Sequence, residues 1–210
     1  LYGDWFIAHS RRFFRSKARE WTPDSHKLKD NLPTMGGIFI ISIVVINSVL
    51  WCNLYDPHIW TVLLGLIGFG SIGAWDDMVK IRKSRGIKAP VKFALQSLVA
   101  TGTISFWLLT SAPPLTITIP FFKSLHPYLG PFFIIWAAFV LIGCSNAVNL
   151  TDGLDGLAVG SLLPNFATFS VLSYLAGNKN LAAYLHIPHV HTSEIVIIGA
   201  ILFAASLGFL

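Results

Sequence analysis

The sequence predicts an all-α fold, a polytopic transmembrane helical bundle, with a short β-hairpin in an outer loop as the one expected exception. Of the 210 residues, 54% are hydrophobic and 12% charged, against roughly 25% charged in an average soluble domain. Mean hydropathy is +0.65 and aromatic residues make up 13%. Apolar runs recur along the whole chain at the length a helix needs to cross the hydrocarbon of a bilayer, about 20 residues. This composition excludes a disordered segment, a coiled coil and a small disulfide-stapled secreted module. Cys52 and Cys144 lie far apart in apolar runs, so neither a disulfide framework nor a four-cysteine zinc site can be assembled.

In chain order, residues 1–18 read as the tail of an earlier helix, followed by full or nearly full spans over 35–54, 58–75, 91–111, 129–148, 157–176 and 194–210. The chain starts at Leu1 rather than methionine and is still apolar at Leu210. The expectation is therefore one integral-membrane domain, 1–210, incomplete at both ends. No small-residue cleavage pattern follows the first apolar run, so a signal peptide is not expected. Between the third and fourth full spans, Leu115 to Phe122 alternates Thr and Ile, the pattern of a short exposed strand or hairpin.

Charge orients these spans. Seven of the 15 basic residues lie between Arg11 and Lys29 and six between Lys80 and Lys92, and Lys and Arg stay with cytoplasmic loops during insertion. Two spans separate the segments, so both fall on one side, which is expected to be the cytoplasm. The loops Thr110 to Tyr128 and Gly177 to Ser193 then lie outside, with one lysine each. Because the basic segments flank lipid-spanning helices, nucleic acid is not an expected partner. Anionic head groups and phosphate-bearing substrates are.

Four of the ten carboxylates come as close pairs, Asp76 with Asp77 and Asp152 with Asp155. A carboxylate abutting an apolar helix is costly, and so marks a functional position. In the run Gly73 to Lys80 the adjacent aspartates repel. A divalent cation together with a lysine one turn later relieves that repulsion, an arrangement suited to phosphate chemistry; the plain alternative is a solvated helix end. In the run Asn146 to Ala158, Gly153 and Gly156 each follow an aspartate and permit close backbone approach to a ligand, while Asp and Asn side chains suit ribose or base edges. The alternative there is a tight turn capped by Asp. An EF-hand would need more acidic positions and a closing Glu. A third patch, Ser25 to Gly37, carries Pro33, the small pair Gly36 and Gly37, and Lys29 within reach of a phosphate. In the loop Lys80 to Lys92, the end residues Lys80 and Lys92 are the cations expected to meet ligand. His186, His189 and His191 have a spacing that could bind metal, but topology places them opposite the aspartates, as surface histidines.

Taken together, Pro33 to Gly37, the Asp76-Asp77-x-x-Lys80 block and Asn146 to Ala158 give the chain its likeness. In order and approximate spacing it resembles the polyprenyl-phosphate N-acetylhexosamine-1-phosphate transferase superfamily, the glycosyltransferase 4 family, and within it the bacterial branch that handles phospho-N-acetylmuramoyl-pentapeptide. The resemblance implies transfer of phospho-MurNAc-pentapeptide from its UDP carrier to undecaprenyl phosphate, giving lipid I and UMP, the first membrane step of peptidoglycan synthesis. It implies Mg²⁺ as cofactor and a multi-pass protein of the bacterial inner membrane with its site on the cytoplasmic face. The implied partners are UDP-MurNAc-pentapeptide, undecaprenyl phosphate and the lipid bilayer; a homodimer is left open. By the same resemblance, Asp76 or Asp77 activates or positions the lipid phosphate near Mg²⁺, both being weak metal-ligand candidates. Lys29, Asp152, Gly153, Leu154 and Asp155 match positions at the uridine moiety with Asn149 beside them, and Lys80 and Lys92 match positions that support phosphate binding.

Leu32 stands where the family commonly has Thr. The family's third acidic position, its principal metal ligand, and its histidine-rich motif are expected beyond Leu210, so these residues alone are expected to be an incomplete enzyme. Two other readings stay open: a sister enzyme that transfers GlcNAc-1-phosphate, and, from a different class, an ion-coupled transporter, for which midspan carboxylates and pseudo-repeated broken helices would be the sign. A membrane scaffold whose aspartates only cap helices is a further alternative.

Overall fold

The computed structural model describes residues 36–83, 85–117, 119, 125–152, 156–190 and 194–210. Seven helices occupy them: α1 Gly36–Trp51, α2 Pro57–Lys83, α3 Ala89–Ser111, α4 Phe132–Thr151, α5 Leu157–Gly177, α6 Lys179–Leu185 and α7 Glu194–Leu207. Four of them, α2 to α5, are long and apolar enough to cross a membrane; α1 and α7 are apolar but shorter, at 16 and 14 residues. The protein is a polytopic helical membrane protein.

Several polar residues within these helices are satisfied along the helix itself. Ser42 Oγ donates to Ile38 O at 2.8 Å, Asn47 Nδ2 to Ile43 O at 2.8 Å, Ser71 Oγ to Ile67 O at 2.6 Å and Asn165 Nδ2 to Ser161 O at 2.7 Å. Each polar group thereby reuses a carbonyl one turn earlier, as a segment facing hydrocarbon requires. The outward residues are large and apolar: Leu98, Leu109, Phe139 and Phe169 are all exposed, as expected of surfaces that face lipid tails.

Helix ends follow local chemistry. Asp56 Oδ1 accepts the His58 N–H at 2.9 Å, capping α2 with Pro57 at the first helical position, where its missing N–H costs nothing. Beyond the apolar span, α2 continues two turns past Trp75 to Lys83, because no helix breaker intervenes before Gly86 and Lys80 pairs with Asp76 and Asp77 along its surface. α3 stops at Ala112, whose N–H donates to Leu108 O at 3.2 Å. Pro113 and Pro114 follow and cannot continue a helix. The hairpin expected over 115–122 is reduced, among the described residues, to a single antiparallel bridge between Thr116 and Tyr128. Ile117 donates to Pro127 O at 3.1 Å, but Pro127 has no N–H to return, so the ladder does not extend there.

Helices pack in the spatial order α4, α3, α2, α1, α7, α5, and α4 also meets α5 where the two connect. One apolar cluster, Cys52, Ile59, Leu63 and Ile198, joins α1, α2 and α7. A second, Ala100, Ile104 and Ile142 with Phe69, joins α2, α3 and α4. At one end of the bundle the Asn53 N–H donates to Glu194 Oε2 at 3.0 Å, which places the end of α1 beside the start of α7. The α5 and α7 backbones approach closely: a Cβ on Gly199 would collide with Ser170 Oγ. Small residues at such a crossing maximise dispersion contact where lipid supplies no hydrophobic drive.

Candidate active site

The opposite end of the bundle gathers the charges. Asp76 and Lys80 are one turn apart on α2, so their side chains share a face. Lys80 Nζ lies 2.8 Å from Asp76 Oδ2 and 2.9 Å from Asp77 Oδ1. Lys92, in the first turn of α3, reaches across so that its Nζ is 3.5 Å from the same Asp76 Oδ2. The segment between the helices folds back over this group, and the Ile87 N–H donates to Asp76 Oδ1 at 2.8 Å. Gly86 makes that return feasible, since a Cβ there would stand 2.5 Å from Asp76 Oδ1 and 3.2 Å from Lys80 Cε.

The two aspartates therefore differ. Asp76 is 5% exposed, and both its oxygens are engaged by donors, two ammonium groups and one amide. A buried carboxylate is tolerated only when it is paired and hydrogen-bonded in this way. Asp77 points outward, with 42% of its side chain accessible and one oxygen on Lys80. Asp76 is thus built to hold the two lysines in place, whereas Asp77 is the carboxylate open to an incoming group. With two carboxylates and two ammonium groups the cluster is neutral overall, an arrangement of gathered lysines that could receive an anionic group without a net repulsive field.

Asn149 and Asp152 lie at the end of α4, both exposed. Asp152 terminates the helix, its N–H donating to Val148 O at 3.1 Å. Among the described residues neither side chain joins the carboxylate–lysine cluster. What connects the two motifs is an amide pair one turn deeper, Gln96 of α3 with Asn146 of α4. Lys29, Gly153, Leu154 and Asp155 lie outside the described residues. Gly156 follows them in a left-handed conformation, φ +78°, immediately before α5, a backbone that glycine adopts without penalty. The described residues contain no group of three or more His, Cys, Asp or Glu side chains placed to hold a metal, so here a cation could draw at most on Asp76 and Asp77. His186 closes α6 in a left-handed conformation and His189 Nδ1 lies 2.9 Å from Ala176 O; His191 lies outside the described residues.

The sequence alone points to no role for Gly86, Ile87 or Gln96, and it places Asn146 only within the run suited to ribose or base edges, not in a contact between helices. The usable signal for the last two was an amide within a run otherwise fit for lipid. Nothing in the sequence marks the Ile87 N–H, because every residue but proline carries one.

Residues 59–210 match the sequence profile of glycosyl transferase family 4. Among curated proteins, the chain is 47% identical over 195 residues to a phospho-N-acetylmuramoyl-pentapeptide-transferase of Desulfotalea psychrophila, covering 91% of this chain and 54% of that protein. It is 42% identical over 202 residues to a protein of the same name from Aquifex aeolicus, covering 95% of this chain and 56% of the relative. The chain spans about half the length of the curated relatives it matches.

Proposed function

The chain belongs to glycosyl transferase family 4, and from that premise we propose that the protein transfers phospho-MurNAc-pentapeptide from its UDP carrier to undecaprenyl phosphate. The products are lipid I and UMP. The relatives' names support the transferred group, phospho-N-acetylmuramoyl-pentapeptide, and one structural observation supports the chemistry: a buried Asp76 that holds Lys80 and Lys92 at 2.8 and 3.5 Å at one end of a membrane-spanning bundle. A polar nucleotide-sugar and a lipid phosphate can meet only at a membrane surface, and cations preassembled there lower the barrier to joining two anions. The proposed surface is the cytoplasmic face of the bacterial inner membrane, the side favoured by the basic segments.

In this reading an oxygen of the lipid phosphate forms a bond to the sugar-bearing phosphorus of the donor. The bond from that phosphorus to the bridging oxygen breaks, and UMP leaves with the electron pair. Lys80 and Lys92 neutralise charge on the pyrophosphate. Asp77, the accessible carboxylate, positions the lipid phosphate or takes its proton. The open carboxylate beside paired lysines fits Mg²⁺, a hard cation that uses one or two carboxylates together with substrate phosphates. When bound it would polarise the phosphoryl oxygens. Asn149, Asp152 and the adjoining Gly153, Leu154 and Asp155, with Lys29, are assigned to the uridine end of the donor.

None of the described carboxylates sits at a helix midpoint, so the transporter alternative gains no support from the structure. The test is lipid extraction after supplying the full-length protein with radiolabelled UDP-MurNAc-pentapeptide or UDP-GlcNAc. Labelled lipid from the first donor only, lost in Asp76→Asn, Asp77→Asn and Asp155→Asn while membrane insertion persists, is the expected result. Activity retained in all three variants overturns the assignment, and labelling from UDP-GlcNAc alone replaces it with the sister reaction.

A further inference from the structure

Gln96 is 3% exposed within a helix that crosses the membrane. Its amide faces that of Asn146 across the α3–α4 contact. Asn146 Nδ2 donates to Gln96 Oε1 at 2.9 Å, and Gln96 Nε2 donates back to Asn146 Oδ1 at 3.4 Å. Asn146 Nδ2 also donates to Ile142 O at 2.9 Å along its own helix. Apolar contacts between the two helices include Ala100, Ile104 and Ile142, with Trp107 and Phe133 tilted against each other at 6.0 Å nearer the far end.

The place of this pair in the helices matters more than its presence. Gln96 lies one turn from Lys92, which is tied to Asp76. Asn146 lies one turn from Asn149 on the same helical face. The contacts Asp76 to Lys92 and Gln96 to Asn146 therefore form a chain from α2 through α3 to α4, joining the first motif to the second. Apolar surfaces in lipid tolerate small rotations, because dispersion contacts are non-directional and the solvent is equally apolar. A reciprocal amide pair does not: rotating either helix by one residue, about 100°, separates donors from acceptors and strands both amides in hydrocarbon.

We propose that Gln96 and Asn146 are positioning residues, which fix the rotational register of α3 against α4 and thereby hold Lys92 in place relative to the Asn149–Asp152 end of α4. This rests on the transferase reading above, in which Lys92 serves the pyrophosphate and Asn149 and Asp152 the uridine end of one donor. Neither residue touches substrate; each acts through the residue one turn away.

The experiment uses the full-length protein and three variants: Gln96→Leu, the double variant Gln96→Leu/Asn146→Leu, and the exchange Gln96→Asn/Asn146→Gln, which restores an amide pair of the same summed length. The double leucine variant leaves no unpaired amide and so keeps its fold. It separates positioning from stability. Turnover is measured with UDP-MurNAc-pentapeptide, melting by intrinsic fluorescence, and helix register by the distance between spin labels on cysteines placed at Phe93 and Leu150, both exposed, with Cys52 and Cys144 replaced. Expected results are a melting midpoint near wild type for the double leucine variant, a broadened label distance, and kcat/KM lowered about 10- to 100-fold, the scale of a 1 Å misplacement. The exchange variant returns both distance and kcat/KM to within about threefold of wild type. An unchanged distance in the leucine variants overturns the register role, and a lost kcat/KM that tracks only the melting midpoint overturns the positioning role. A wild-type protein inactive on this donor, with its label distance sharp, overturns instead the transferase reading.

Discussion

Substituting Gly86 by alanine tests whether the loop over Asp76 sets the geometry of the site. Gly86 is not among the positive-φ glycines, Gly130 and Gly156, so alanine introduces no backbone strain and the perturbation is the methyl group alone. Its Cβ would fall 2.5 Å from Asp76 Oδ1 and 3.3 Å from Asp76 Cγ. Carbon and carboxylate oxygen settle at roughly 3.5 Å, so one of them must retreat by about 1 Å. The retreat is resisted, because Asp76 Oδ1 is bonded to the neighbouring Ile87 N–H at 2.8 Å and Oδ2 to Lys80 and Lys92. If the loop lifts, a hydrogen bond to a charged acceptor worth about 1.5–3 kcal/mol is lost. If the carboxylate swings, Lys92 loses its anchor and Lys80 keeps only Asp77. Either route should lower kcat/KM of the full-length enzyme about 100-fold, the sensitivity of transfer chemistry to a displacement of this size. The assay is lipid I formation in detergent-solubilised protein, with Gly143→Ala as control, since nothing lies within 4 Å of a Cβ at Gly143. Equal kcat/KM for Gly86→Ala and the control, at equal expression, would refute the reasoning.

The two aspartates should separate under mutation. Asp76→Asn leaves Lys92 without its counter-charge and Lys80 with Asp77 alone, and should lower stability by about 1–3 kcal/mol, less than for a fully buried pair because Lys80 is partly solvated; Asp77→Asn should leave the melting midpoint in place while abolishing turnover, and equal destabilisation by both would contradict the assignment. Asn178 caps α6, its Oδ1 accepting from the N–H groups of Asn180 and Leu181, both at 3.1 Å, so Asn178→Ala should cost about 1 kcal/mol of stability with turnover unchanged, as read by thermal unfolding beside an activity assay. Gly199→Val forces a branched side chain into the α5–α7 crossing against Ser170 and should destabilise by about 1–3 kcal/mol; a melting midpoint at or above wild type would show that the crossing is looser than described.

The fold class was legible from composition because a helix in lipid must satisfy its backbone internally, so a long apolar run has few structural alternatives. Pairing of Asp76 with Lys80 was legible for the same local reason: a spacing of four residues on a helix puts two side chains together wherever the helix goes. Of the hairpin expected from Thr/Ile alternation over 115–122, the described residues show one antiparallel bridge, Thr116 with Tyr128; alternation describes side-chain faces and says nothing about whether the opposite chain has N–H groups to offer, and Pro127 has none. The helix α2 runs past its apolar span to Lys83, because hydropathy marks where a helix is apolar and not where it stops.

The sequence by itself determined that the chain crosses a membrane as helices, that its cations cluster in two segments, and that Asp76, Asp77 and Lys80 share one turn of helix. These depend on transfer energies and on the helical repeat, both properties of short stretches of chain. Only the tertiary structure decided that Asp76 is buried and Asp77 open, that Lys92 reaches Asp76, that Gln96 meets Asn146, and that α7 packs between α1 and α5 rather than following α5 in sequence order. Each of these depends on the rotation and depth of one helix against another, which lipid-facing apolar side chains barely constrain. They are set by a few directional contacts between residues far apart in the chain.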